Sequence, residues 1–204
     1  MIAFEGLEEN FRFLVLEVTS QVRATFQLLE KPSQALYDKI VSRDDYIDNL
    51  KNIIENNCFS KIHTEQAASK NEINRIRALQ TMAINLERIA DFSVNIVQQL
   101  GHLSDPGFLK RFHYAPMFEQ IFKGMDLVQP ARNGRDLAGA LSICRAENEL
   151  DRLYKENFDR IMAMLRTGLN VENLITVLFI IRYLERIGDS LLNIGEALIF
   201  AAIG

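Results

Sequence analysis

Eight carboxylates fall into four pairs spaced four residues apart: Asp44/Asp48, Glu87/Asp91, Glu147/Asp151 and Glu185/Asp189. On a helix, residues at that spacing sit one turn apart on the same face, so each pair offers its oxygens to a single neighbour. Like charges so placed cost an isolated helix about 0.2–0.5 kcal/mol, and two converging pairs cost more unless protons or cations offset the repulsion. All-oxygen donor sets suit hard cations such as Mg²⁺, Ca²⁺ and Mn²⁺, and iron in carboxylate sites. One such pair alone is ordinarily a solvated helix face. Four in matching positions point instead to metal binding.

The matching positions come from a duplication. The segment 86–96, LERIADFSVNI, aligns without a gap to 184–194, LERIGDSLLNI, with seven of eleven residues identical at an offset of 98. Upstream, Asp44-x-x-Ile47-Asp48-x-Leu50 matches Glu147-x-x-Leu150-Asp151-x-Leu153 at an offset of 103. Self-similarity of this kind marks a repeated structural unit. Helical periodicity dominates both copies, with no alternating strand pattern of useful length. Leu7, Phe11, Leu14, Val18, Val22, Phe26 and Leu29 recur at three- and four-residue spacing and predict a first helix over 5–29. Further helices are expected at 32–57, 65–100, 117–131 (ended by Pro130), from about 134 to 166, and from 171 to the C-terminus. The Pro- and Gly-containing stretch after residue 101 reads as a linker. The fold class is therefore all-α: two tandem antiparallel three-helix bundles, at 1–103 and 117–204, joined by a linker at 104–116.

Both acidic pairs of a repeat can be brought to the same height. The midpoint of the second repeat's pairs falls at Gly168, inside the turn Thr167-Gly168-Leu169-Asn170, and the first repeat's falls near residues 67–68. A hairpin folded there runs about 18 residues out and back, roughly 27 Å. On a helical wheel Ala83, Ala90, Val94 and Val97 form the apolar stripe, while Glu87 and Asp91 lie on its margin, within reach of a neighbouring helix. Asn95 and Asn193 extend each motif by a turn, either as outer donors or weak ligands to a metal site or as helix-surface amides. Arg88 and Arg186 are either counter-ions to the acidic clusters or partners of other nearby acids.

Other chemistries find little support. Cys58 and Cys144 are too few and too distant for a disulfide framework or a thiolate zinc site, and read as small hydrophobes in a reducing compartment. His63, His102 and His113 lie in turns or the linker and make no His-x-x-Glu-His or Glu-x-x-His pattern, which argues against zinc proteases and ferritin-like di-iron oxidases. No phosphate-cradling Gly-rich loop or nucleophile elbow appears, so an adaptor is favoured over an enzyme. The longest apolar run, Leu174–Ile181, is too short to span a bilayer, and the N-terminus carries no signal-peptide pattern, so the expected location is cytoplasmic. Net charge is −4, from 23 basic and 27 acidic residues, which disfavours nucleic acid as a partner. Setting aside the eight motif acids leaves 23 − 19 = +4, a slightly basic scaffold around two acidic clusters.

At LERIADFSVNI and LERIGDSLLNI, supported by DDYID (44–48) and ENELD (147–151), the chain resembles the PhoU family of phosphate-signalling proteins over essentially its whole length. The resemblance implies metal ligands at Asp44, Asp48, Glu87, Asp91, Glu147, Asp151, Glu185 and Asp189, holding divalent or trivalent ions among Fe, Mn, Mg, Ca and Zn. It implies a negative regulator of phosphate uptake that contacts the ATPase of a phosphate ABC transporter and a sensor histidine kinase. Such a protein is membrane-associated only through its transporter, and a homodimer is compatible with it. The alternative is a PhoU-like regulatory domain of another transporter, such as a sodium–phosphate symporter. Two departures stand out: Ala90 where the second repeat has Gly188, and Glu147 where Asp is more familiar. Protein purified without chelator is expected to carry several hard or iron-type ions per chain. Finding neither metal nor a metal-dependent rise in melting temperature would reduce the clusters to solvated acids.

Overall fold

The computed structural model describes residues 2–64 and 69–203. Six helices carry the fold: α1 (Ile2–Glu30), α2 (Gln34–Thr64), α3 (Lys70–Gln99), α4 (Tyr114–Gly134), α5 (Leu137–Leu165) and α6 (Val171–Ile203). No strand occurs among the described residues. Within each repeat the helices pack as an antiparallel bundle, α1–α2–α3 and α4–α5–α6. The bundles join chiefly along α3 and α6, with α1 also against α4. The periodic residues of α1 behave as their spacing requires: Leu7, Phe11, Leu14, Val18, Val22 and Leu29 are buried, and Phe26 stacks among Tyr114, Phe118 and Phe122 of α4. One apolar core runs through both repeats.

The duplicated helices α3 and α6 lie antiparallel to each other. Asn193 Nδ2 donates to Asn85 Oδ1 at 3.0 Å, the Arg77 guanidinium lies 5.6 Å from the Phe200 ring centre, and Phe92 stacks on Tyr183 at 6.1 Å. Their apolar stripes, including Ala83, Leu86, Ile89 and Ala90 on α3 and Leu184, Ile187 and Leu191 on α6, are fully buried. Two copies of one sequence thus meet about an approximate two-fold axis between residues 88–91 and 186–189. The Asn193 amide is used across this seam, between the repeats.

Two helix ends differ from the sequence-based expectation. Helix α2 continues to Thr64 instead of stopping near residue 57, because Cys58 still fills a core position and the polar residues beyond it turn outward. Pro130 does not end α4, which runs on to Gly134 and closes at Arg135 in the left-handed conformation (φ 48°). Proline removes one N–H, and the carbonyl deprived of it belongs to Asp126, which is exposed and can turn to water. The linker at 104–116 is ordered. Two 3₁₀ turns, Leu100–His102 and Pro106–Arg111, flank it or lie in it, and Phe108, Leu109 and Phe112 are buried. Two buried asparagines secure its backbone: Asn173 Oδ1 accepts from Ser104 N at 3.0 Å, and Asn157 Oδ1 accepts from His113 N at 2.8 Å. The expected turn near residues 67–68 lies outside the described residues. The turn at 166–170 forms as expected, with Gly168 at φ 70° and Asn170 at φ 55°.

Two glycines of α6 lie close against α5. A Cβ on Gly195 would lie 2.5 Å from Cys144 Sγ and 3.1 Å from the Ala140 carbonyl oxygen, and one on Gly188 would lie 2.8 Å from Leu150 Cδ1. The corresponding first-repeat residues are Val97 and Ala90, which carry the side chains that these glycines lack. Substituting Gly195→Ala is expected to cost about 1–3 kcal/mol through overpacking against backbone that cannot yield. Gly6→Ala, in α1 with nothing among the described residues within 4 Å of the new methyl, is expected to stabilise by up to about 1 kcal/mol. Denaturant unfolding of the two variants checks the opposite signs.

Candidate metal centres

In the first repeat Asp44 and Asp48 on α2 face Glu87 and Asp91 on α3. Burial pushes Asp44 up to about 6, with the charges of Asp91, Asp48 and Asp45 adding to the rise. Burial pushes Glu87 up to about 7; Asp91 and Asp48 raise it further while Lys51 opposes them. Asp91 is also raised, by burial and then by Asp48, against the pull of Lys51 and Arg88. The mutual influence of Asp44, Asp48, Glu87 and Asp91 means that all four occupy one electrostatic neighbourhood. In the second repeat burial raises Glu147, helped by Asp151 and Asp189. Burial raises Glu185, helped by Asp189 and Asp151 and opposed by Arg182 and Arg186. The structure therefore brings together each set of four that the sequence paired.

Their placement follows from the wheel. Glu87 and Asp91 stand on the margin of the buried stripe of α3, half-buried and turned toward α2. Glu185 is the most enclosed of the eight, 9% exposed. Its Oε1 accepts from Arg182 Nη1 at 2.5 Å, whereas Oε2 is buried with no hydrogen-bond partner. A buried carboxylate oxygen without a donor is a costly group that calls for a proton or a cation. Two counter-ions escape sequence reading: Lys51, 3.6 Å from Glu87 Oε1 and 3.9 Å from Glu55 Oε2, and Arg182 beside Glu185. Their only sequence signal is helical proximity to an acid, at three residues' distance from Asp48 and Glu185, and most surface ion pairs share that.

Other expected participants sit elsewhere. Arg186 Nη1 lies 3.6 Å from Asp189 Oδ2, whereas Arg88 makes no ion pair or hydrogen bond among the described residues. Asn95 is half-buried on α3. All three histidines are exposed, Cys58 is buried, and Cys144 is only partly so. Among the described residues no group of three or more His, Cys, Asp or Glu side chains is set up to hold an ion as it stands. The donor chemistry nevertheless fits a hard cation: eight carboxylates, no soft ligand, an orphaned buried oxygen and charge that its surroundings only partly offset.

A duplicated three-helix bundle bearing an acidic pair on each of two facing helices per repeat defines the class of protein. The PhoU domain family model matches residues 14–100 and 116–198, and the chain belongs to that family. It is 31% identical over 185 residues to the phosphate-specific transport system accessory protein PhoU homolog of Borreliella burgdorferi, covering 86% of this chain and 82% of that protein. It is 26% identical over 192 residues to the protein of the same description from Clostridium acetobutylicum, covering 90% and 85%. The fold is that of the crystal structure of PhoU from Pseudomonas aeruginosa, with TM-score 0.87, 23% identity, and 98% and 97% of the two chains covered.

The raised carboxylates set the sign of a pH effect on metal-free protein. Folded values near 6 and 7 exceed unfolded values of about 4, so their contribution is fully present below about pH 4 and is lost as pH rises through 6–7. Chelator-treated protein is therefore expected to lose stability between about pH 4.5 and 7.5 on account of these groups. Asp44→Asn should flatten that dependence and raise the melting temperature at pH 8. A profile that is unchanged in Asp44→Asn would contradict the assignment.

Proposed function

We propose that the chain is a metal-binding regulatory adaptor that restrains phosphate uptake and phosphate-responsive signalling from the cytoplasmic face of the membrane. Its partners on this reading are the ATPase of a phosphate ABC transporter and a sensor histidine kinase, and its role is regulatory, not catalytic. The observation that carries the reading is the pair of four-carboxylate clusters, one per repeat, held on facing helices with their repulsion only partly offset. The relatives' description as accessory proteins of a phosphate-specific transport system supplies the physiological direction. Absence of a membrane-crossing helix among the described residues suits a protein that reaches the membrane through a partner.

Asp44, Asp48, Glu87 and Asp91 would hold one metal centre, and Glu147, Asp151, Glu185 and Asp189 the other. A bound cation supplies positive charge that cancels the repulsion across α2–α3 and across α5–α6. The chain's own contribution is orientation. The apolar stripes of α3 and α6 fix the height and margin of each carboxylate, Lys51 and Arg182 hold Glu87 and Glu185 in place, and Glu185 Oε2 is left free to ligate. Ligation requires the less buried carboxylates to turn inward, which ties each outer helix to its inner partner and stiffens the surface offered to other proteins.

A deletion strain with a complementation series tests this. In phosphate-replete medium, loss of the gene is expected to raise phosphate uptake. The native gene should restore repression, and the variant Glu87→Gln/Asp91→Asn/Glu185→Gln/Asp189→Asn, folded by circular dichroism, should not. Uptake unchanged on deletion would contradict the regulatory role, and full rescue by the variant would contradict the part played by the carboxylates.

A further inference from the structure

The duplicated motif contains one residue that lies outside the core and touches the carboxylate clusters only through long-range charge. Both copies read Leu-Glu-Arg-Ile: Leu and Ile are buried and Glu belongs to the acidic pair, but Arg88 and Arg186 are exposed in both. The antiparallel crossing of α3 and α6 gives the two arginines a common destination. They line a single cavity of about 270 Å³ on the approximate two-fold axis, together with Phe92, Asp189 and Asn193.

The cations there are only lightly engaged. Among the described residues Arg186 has one contact at 3.6 Å with Asp189, beyond hydrogen-bonding distance, and Arg88 has no ion pair or hydrogen bond. Arg88 acts on Asp91, and Arg186 on Glu185 and Asp189, through charge at a distance, so both guanidinium forks keep N–H donors open to the recess. Asn193 already spends one amide hydrogen on Asn85 and so is held in position at the cavity wall. Phe92, stacked on Tyr183, forms an apolar side of the recess. Planar forks of this kind match the oxygens of a tetrahedral anion, each offering two parallel N–H···O bonds. A space of this size accommodates a phosphoryl group.

We propose that Arg88 and Arg186 together form an oxyanion site at the α3–α6 crossing that takes a phosphoryl group, either as free phosphate or as the end of a nucleotide. The site is built by the duplication itself, since each repeat supplies one arginine and neither repeat has it alone. It lies on the seam between the two carboxylate clusters, with Asp189 contributing to both surroundings. It is distinct from the metal centres in donor chemistry, and it stands whether or not they bind metal.

Calorimetric titration of the full chain, treated with chelator so that no metal–phosphate contact intervenes, tests the proposal with inorganic phosphate and ATP as separate probes. Saturable binding of at least one probe at one site per chain is expected. Phosphate binding identifies the free anion as the ligand source, and binding of ATP alone identifies a nucleotide. Arg88→Gln and Arg186→Gln should each weaken binding roughly tenfold or more, the loss expected for a charge-assisted hydrogen-bonding partner. Arg77→Gln, on the same helix but packed against Phe200, should leave it unchanged. Both arginines of the site are exposed, so the variants should melt as the native protein does. Failure of both probes to bind, or equal binding by the native protein and the Arg88→Gln and Arg186→Gln variants, would overturn the site while leaving the metal reading to its own measurements.

Discussion

Packing α3 against α6 places everything else. Each of these helices has one wide apolar stripe, and because they are copies of one sequence they bury those stripes against each other and against their own bundles in equivalent ways. The residues on the margins of the stripe have no choice of direction after that. On the outer margin Glu87, Asp91, Glu185 and Asp189 are turned toward α2 and α5, which bring their own acids to meet them. At the crossing Arg88 and Arg186 are brought to one recess. The aromatic contact of α1 with α4, through Phe26, Phe118 and Phe122, closes the two bundles around the same axis.

Such an arrangement is expensive without a counter-ion. Carboxylates at the edge of an apolar core lose solvation and face one another, and the response in metal-free protein is to hold protons more tightly, as Asp44 and Glu87 do. Lys51 and Arg182 relieve part of the strain, and in the second repeat Glu185 still keeps an oxygen buried without a donor. The two clusters are not equal. Burial raises Asp44 and Glu87 in the first cluster, whereas the second holds the most enclosed single carboxylate, Glu185.

Much of this was legible beforehand, because it rests on periodicity. The apolar stripe around Ala83, Ala90, Val94 and Val97 and the marginal position of Glu87 and Asp91 follow from 100° per residue, and internal repetition exposed the four acidic pairs. Features that depend on contacts between distant residues were not legible. The stretch 104–116 reads as a linker from its Pro and Gly, and nothing local says that it is ordered. The asparagines that fold it down, Asn157 and Asn173, lie forty to seventy residues away in sequence. Pro130 read as a helix end because the solvent exposure that makes its missing hydrogen bond tolerable is a property of the folded chain. Lys51, Arg182 and the shared recess of Arg88 and Arg186 likewise require knowing which helix faces which.

The central claim is that the eight carboxylates are two cation sites. Its most direct test is anomalous diffraction from crystals of the protein grown with Mn²⁺ or Fe and never exposed to chelator. The account predicts anomalous peaks between α2 and α3 at Asp44, Asp48, Glu87 and Asp91, and between α5 and α6 at Glu147, Asp151, Glu185 and Asp189, with Glu185 Oε2 among the ligating atoms. Carboxylates ringed only by water in well-ordered density, with no anomalous signal at either cluster, would contradict it.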